Sequence, residues 1–410
     1  MIRRLDLEQI IQKQAKEMMQ EDAKEIERNI LSLSVTSGFA HIITGIRRCG
    51  KSTMMRQIMH KNKERKSVYL NFDDIRLSSF DKSDFVRLHE ITVDSDIQVL
   101  FFDEIQLVSG WEVFIHQLLR ESHLIYITGS NASLLSVELG THLTGRYLNF
   151  ELFPFSYPEY LQYMQTSASA KSLREYLEQG GMPEYLRTRN IQVIQSLIDD
   201  ILMRDIAVRR GIRDVSSLRQ LAVYLLTNTT KLFSATSLAK TLRLKAVSTI
   251  LEYIGYMRDA YLIDIIGQYS CSLKATTRNP KKVYAIDNGF ITAMTVSQTE
   301  DSGRLLENMV YICLRQKYAN HIYYYHNSGE CDFIITDINN HPKEAIQVCY
   351  EITSENFDRE IRGLSEAMRE LKLSAGIILT MNEKDTLDIP EGYIQIIPVH
   401  QWCLSFKLES

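Results

Sequence analysis

Gly45-Ile46-Arg47-Arg48-Cys49-Gly50-Lys51-Ser52 is the stretch whose reading decides the fold. Its spacing, G-x-x-x-x-G-K-[ST], is that of a loop that wraps phosphate groups. Two glycines let the backbone curl its N–H groups inward, the lysine reaches the terminal phosphates, and the hydroxyl is placed to ligate Mg²⁺. The apolar run His41-Ile42-Ile43-Thr44 precedes the loop as a strand, and a helical pattern over 52–60 follows it. Gly45, Arg48, Cys49, Gly50, Lys51, Ser52 and Thr53 are therefore the expected nucleotide-contacting residues, with Ser52 also a metal ligand.

Short apolar runs at Ala40–Thr44, Ser67–Asn71, 98–102, 124–128 and 147–152 alternate with helical patterns, which predicts βαβ units and a parallel sheet. One strand ends in Leu100-Phe101-Phe102-Asp103-Glu104. Asp103 is placed to hold Mg²⁺ through water, and Glu104 is the natural base for an attacking water. Another ends in Thr128-Gly129-Ser130-Asn131, where Ser130 or Asn131 either orients water at a γ-phosphate or caps the next helix. Leu143-Thr144-Gly145-Arg146 offers an arginine that either reaches a γ-phosphate, its own or a neighbour's, or is a plain surface residue.

These segments, with Ile105-Gln106, Gly110-Trp111-Glu112 and Leu152-Phe153-Pro154-Phe155-Ser156, together resemble a large group of bacterial and archaeal AAA-type ATPases. The resemblance covers nearly the whole chain. It implies ATP and Mg²⁺, with Lys51, Ser52, Asp103 and Glu104 handling nucleotide, metal and catalytic water. It further implies Asn131 as a sensor, Arg146 as an arginine finger, and a C-terminal half with a winged helix and a restriction-endonuclease-like core.

The 410 residues are 45 % hydrophobic and 24 % charged, which excludes a disordered or fibrous chain. No apolar run approaches the ~18 residues of a membrane span, and the start, Met1-Ile2-Arg3-Arg4, lacks a secretory signal pattern. Six cysteines without a CxxC pair argue for reduced thiols, so a cytoplasmic protein is expected. The net charge of −4 conceals segregation: residues 201–283 carry 14 Lys/Arg against 5 Asp/Glu. Such a block is an electrostatic footprint for DNA, or a basic face docked on an acidic neighbour.

Within the block, 234–263 has helix-turn-helix spacing. Leu238, Ala239 and Leu242 line one helix. Val247, Ile250, Leu251, Ile254 and Met257 line a second, leaving Lys245, Ser248, Thr249, Glu252, Tyr253 and Tyr256 on its outer face. Strands at 261–266 and 282–286 would form a wing with Lys274, Arg278, Lys281 and Lys282 near its tip, serving DNA or a docking partner.

Further on, Glu307, Asp332 and the strand 344–351 resemble a PD-(D/E)xK nuclease core. The third element reads Gln347-Val348-Cys349 where Glu-x-Lys is wanted, so metal binding is weakened and cleavage is not expected. Lys343, Arg359 and Arg362 are the nearest candidates for the missing positive charge.

The expected architecture is α/β: a P-loop NTPase parallel sheet of AAA/ASCE type, then a helical winged-helix unit, then a smaller α/β nuclease-like domain. The boundaries read as an N-terminal amphipathic helix in 1–35, an ATPase core at 36–160, a helical lid or linker at 161–215, a winged helix at 216–290 and the nuclease-like domain at 300–405. The expected function is Mg²⁺-dependent ATP hydrolysis coupled to DNA binding. The alternatives are an ATP-gated switch for a protein partner and a metal-dependent nuclease regulated by ATP. Homo-oligomer formation is left open.

Overall fold

Arg4–Met18 folds as helix α1 because Leu7, Ile11 and Met18 recur at helical spacing and bury one stripe. The computed structural model describes residues 1–20, 25–28, 38–132, 145–243, 246–270, 279–295 and 302–405. The chain forms two units, one essentially Met1–Phe153 and the other from Pro154 onward.

In the first unit the elements after α1 are β1 (Ala40–Thr44), α2 (Lys51–Lys61), β2 (Ser67–Asn71), α3 (Lys82–Asp94), β3 (Val99–Asp103), α4 (Trp111–Arg120), β4 (Leu124–Gly129) and β5 (Tyr147–Glu151). All five strands are parallel, in the order β2-β3-β4-β1-β5. Every residue of β1, β3 and β4 is buried, as strands covered on both faces require. Leu7, Ile42, Leu70, Phe102, Phe114 and Ile127 share one core.

β2 is an edge strand, and α1 covers that edge. The Gln14 amide pairs with both backbone groups of Asn71, accepting from its N–H at 2.8 Å and donating to its carbonyl at 3.2 Å. The amphipathic helix expected within 1–35 stops at Met18. Residues 25–28 lie outside any helix, because side chains of α2 take up their polar groups instead. Gln57 donates to the Ile26 carbonyl at 2.7 Å and accepts from the Arg28 N–H at 3.1 Å, while Arg56 binds Glu25 at 2.5 Å.

The second unit opens with α5 (Tyr157–Met164), α6 (Ala170–Gln179), α7 (Pro183–Thr188) and α8 (Ile191–Asp200), which a π-helical stretch, Ile201–Val208, extends. Gly180, Gly181 and Met182 separate α6 from α7. A Cβ at Gly181 would lie 2.1 Å from the Phe155 carbonyl oxygen. Next come α9 (Val215–Thr227), β6 (Leu232–Phe233), α10 (Ala235–Thr241), α11 (Val247–Asp259), β7 (Ile263–Ile266), β8 (Lys281–Ala285) and α12 (Asn288–Met294). Strands β6, β8 and β7 pair antiparallel in that order.

α11 buries Ile250, Ile254 and Met257 as its spacing suggested, but the buried face is rotated toward Tyr253. Tyr253, expected outside, is buried with Ile250, Ile254 and Met257, whereas Val247 and Leu251 are 38 % and 57 % exposed. Both stripes are helical, and the one carrying an aromatic ring removes more apolar area from water. Lys282, expected near a wing tip, is 3 % exposed. It projects from a paired position on β8, and buried carboxylates take its ammonium. Lys245, Lys274 and Arg278 lie outside the described residues.

The chain continues through α13 (Ser302–Tyr318), β9 (Ile322–His326), β10 (Glu330–Thr336), β11 (Pro342–Val348), α14 (Phe357–Leu371), β12 (Ala375–Thr380), β13 (Asp385–Ile389), β14 (Gly392–Pro398) and α15 (Val399–Ser405). The six strands form one mixed sheet, ordered β13-β14-β12-β11-β10-β9. α14 packs against it through Leu364 and Met368.

Gly363 of α14 approaches β10 so closely that a Cβ would lie 2.1 Å from the Glu330 carbonyl oxygen, whereas a Cβ at Gly255 of α11 meets nothing. Gly255→Ala should therefore follow helix propensity and stabilise by up to ~1 kcal/mol. Gly363→Ala should reverse the sign and destabilise by about 2 kcal/mol, the usual scale of overpacking. Urea denaturation of the two variants checks the opposite signs.

Candidate functional site

Strand register assembles the site. Thr44 pairs with Gly129, Phe102 with Ile127, and Asn71 with Asp103, so the ends of β1, β2, β3 and β4 meet at one edge of the sheet. The phosphate-loop segment leaves β1 there. A Cβ at Gly45 (φ 146°) would lie 2.1 Å from the Leu152 carbonyl oxygen, so only glycine lets the chain pass. Gly50 (φ 105°) then sets the first turn of α2.

Lys51 is buried, and its Nζ donates to the Gly45 and Ile46 carbonyls, each at 3.0 Å, which closes the loop around its own ammonium. Behind the loop, Cys49 Sγ donates to the Leu152 carbonyl at 3.4 Å. Burial pushes the Cys49 thiol above its ordinary pKa, so it serves as packing rather than as a nucleophile. Arg28 braces the same region, donating to the Cys49 carbonyl at 3.0 Å and the Phe153 carbonyl at 2.7 Å. Arg48 lies exposed at positive φ, and Thr53 is half-buried in the first turn of α2.

Asp103, buried at the end of β3, gathers three hydroxyls. Ser52 Oγ donates to it at 2.7 Å, Tyr69 at 3.1 Å, and Thr128 Oγ1 makes the third contact. The Thr128 hydroxyl also accepts from the Glu104 N–H at 3.3 Å. Glu104 adopts φ 54°, a left-handed conformation unusual for glutamate and a form of backbone strain found at active sites. Its carboxylate accepts from Gln106, and from Ser130 at 3.3 Å. Burial raises the Glu104 carboxyl above its ordinary pKa; Lys51 opposes that shift and Asp103 adds to it.

Ser130 and Asn131 are buried just past β4, beside the strand that carries Glu104. The helix either would cap lies outside the described residues, as do Leu143 and Thr144. Arg146 lies elsewhere. Its carbonyl accepts from the Ala40 N–H at 3.1 Å, and Tyr147 pairs with Ala40, which places it at the opening end of β5. At ~3.3 Å per strand residue that is roughly 20 Å from Gly45, at the opposite edge of the sheet.

The nuclease-like residues are brought together, but around a lysine. Glu307 of α13 and Asp332 of β10 lie 3.2 and 2.8 Å from Lys282 Nζ. Gln347 accepts from the Asp332 N–H at 3.1 Å and donates to Glu360 at 2.8 Å. Of the expected substitute charges, Lys343 pairs with Asp337, Arg359 with Glu360, and Arg362 is exposed. None of them is the lysine on these carboxylates. Among the described residues no three His, Cys, Asp or Glu side chains group as a metal ligand set, and no helix is long and apolar enough to cross a membrane.

Sequence reasoning missed Arg28, Tyr69 and Thr128. Thr128 stood in a noted strand end without a role, and Arg28 and Tyr69 carried no spacing signal, because their partners are 21 and 34 residues away.

An AAA domain family matches residues 38–161, and a domain of unknown function (DUF8612) matches residues 170–301. An uncharacterized protein of Methanocaldococcus jannaschii is 32 % identical over 94 % of this chain and 92 % of its own length. An uncharacterized protein of Haemophilus influenzae is 30 % identical over 72 % of this chain and 79 % of its own. Among solved structures, AMPPCP-bound DnaA from Aquifex aeolicus aligns over 54 % of this chain and 83 % of that one, at 13 % identity and a TM-score of 0.27. A likeness that low carries no weight for either fold detail or function.

Thr128→Val removes a hydroxyl that serves Asp103 and the Glu104 amide together, leaving buried polar groups unpaired. It should destabilise the protein by about 2 kcal/mol in urea denaturation, whereas Ser130→Ala, with one long contact, should stay within ~0.5 kcal/mol.

Proposed function

The chain belongs to the family of AAA-domain proteins that includes the uncharacterized Methanocaldococcus jannaschii protein, and from that premise we propose that it hydrolyses ATP and couples nucleotide state to duplex DNA. An AAA domain implies ATP binding, usually with Mg²⁺. The observation that carries the reading is the convergence of Lys51, Ser52, Asp103 and Glu104 at one sheet edge. The Ser52 hydroxyl and Asp103 carboxylate, 2.7 Å apart, are the hard oxygen donors that Mg²⁺ takes.

In this reading Gly45, Arg48, Cys49, Gly50, Lys51, Ser52 and Thr53 hold the nucleotide, and Ser52 and Asp103 hold the metal. Bound Mg²⁺ supplies charge stabilisation at the phosphate oxygens. Glu104 takes the proton of the attacking water, and Asn131 orients that water. Arg146 acts on the nucleotide of a neighbouring copy, because its own loop is at the far edge of the sheet.

DNA binding rests on the second unit. The order α9-β6-α10-α11-β7-β8, with β6 paired to β8, supports a winged helix in which α11 is the recognition helix. Arg204, Arg209, Arg213, Lys231, Lys240 and Arg243 are exposed there and suit phosphate contacts. A second reading has its own observation. Val247 and Leu251, one turn apart and exposed on α11, favour a protein partner docking on that helix.

Lys51→Ala should abolish ATP binding in a fluorescent-nucleotide titration. Glu104→Gln should keep binding and slow steady-state hydrolysis at least ~100-fold, the scale of a lost general base. Unchanged affinity in the first variant refutes the phosphate-loop assignment. Duplex DNA should raise turnover at low salt, and each phosphate contact removed, as in Arg209→Ala or Arg213→Ala, should lower the log–log salt slope by about one. Turnover indifferent to DNA at every salt concentration favours the docking reading.

Arg146→Ala and Glu104→Gln should each be slow alone and faster when mixed, since the first chain then borrows an arginine from the second. An additive rate in the mixture overturns the role given to Arg146.

A further inference from the structure

Lys282 sits on the middle strand of a three-stranded sheet, paired to Leu232 on one side and Ile266 on the other. Its backbone is therefore held from both edges, and its ammonium has a fixed destination. Nζ lies 2.8 Å from Asp332, 3.0 Å from Glu330 and 3.2 Å from Glu307. The ammonium donates hydrogen bonds to Asp332 and Glu307, and the more exposed Glu330 adds an ion pair.

The surrounding polar groups are engaged as well. Tyr284 donates to Glu307 at 2.8 Å, and the Val348 N–H donates to Asp332 Oδ2 at 3.0 Å. Gln347 spends its oxygen on the Asp332 N–H and its amide on Glu360.

The nuclease-like resemblance implies a divalent ion between Glu307 and Asp332. These residues do not fit one. Mg²⁺ needs oxygens at about 2.0–2.1 Å in a near-octahedral shell. Here the same oxygens surround an ammonium, which would repel a divalent ion a few ångströms away. The third ligand position, Gln347, is a neutral amide whose one oxygen already accepts from the Asp332 N–H.

We propose that the nuclease-like centre is a cation site filled by the chain itself: Lys282 stands where a metal would, so the centre neither takes a divalent ion nor cleaves nucleic acid, and its ion pairs instead fasten β8 to α13 and β10. The proposal is independent of the ATPase reading. It also relocates the cause of inactivity: the decisive residue is a lysine from a distant strand, ahead of the Gln347 and Cys349 replacements.

The test uses nucleotide-free full-length protein and Mn²⁺ alone. Lys282→Met keeps the side-chain length and removes the charge, leaving three carboxylates facing one another. That variant should lose melting temperature, on the order of 5 °C. It should bind one more Mn²⁺ per chain than wild type, read by the free-ion electron paramagnetic resonance signal. Mn²⁺ should restore part of its lost melting temperature, and both gains should vanish in Lys282→Met/Asp332→Asn.

Wild type and Asp332→Asn should titrate identically with Mn²⁺, a comparison that holds even if Lys282→Met does not fold. Wild-type Mn²⁺ binding that disappears in Asp332→Asn overturns the proposal, as does a folded Lys282→Met that gains no ion. So does Mg²⁺-dependent plasmid nicking by wild type that is lost in both Asp332→Asn and Lys282→Met, since Lys282 would then be a catalytic lysine.

Discussion

The first unit depends on one buried carboxylate. Asp103 accepts hydroxyls from Ser52 on α2, Tyr69 on β2 and Thr128 on β4, so four elements must arrive in register for it to be satisfied. A buried carboxylate without such partners would cost several kcal/mol. The same contacts that stabilise the sheet edge therefore also place Ser52 and Glu104. Strand order and site geometry are one problem here.

A second constraint acts from behind the loop. Gly45 must clear the Leu152 carbonyl, Cys49 fills the space beside it, and Arg28 ties the loop to the end of β5 through two carbonyls. The loop is thus held in shape from behind, by the Leu152 and Phe153 carbonyls, the Cys49 side chain and Arg28. This explains why residues 25–28 leave the helical path: their polar groups find better-placed partners on Gln57 and Arg56 than another helical turn would offer.

In the second unit a basic residue changes meaning with burial. Counted along the chain, Lys282 contributes to a positive block; in three dimensions it neutralises carboxylates from α13 and β10. The exposed arginines and lysines of 201–243 carry the external positive charge instead. Charge totals over a segment set a field only insofar as the charges are solvent-facing.

The parallel sheet, the glycine-bracketed loop between β1 and α2, and the place of Asp103 and Glu104 at the end of β3 were legible in the amino-acid sequence because each rests on local order: an apolar run, a turn, a helix start. The helix pair α10 and α11 was legible for the same reason. What local spacing could not decide was which of two helical stripes α11 buries, since Tyr253 and Leu251 each complete one. Nor could it place Arg146 at the edge of the sheet away from the loop, or bring Lys282 to Glu307 and Asp332, 25 and 50 residues away. Those outcomes belong to tertiary structure, because strand register and the pairing of buried charge are set between segments, and no single segment carries them.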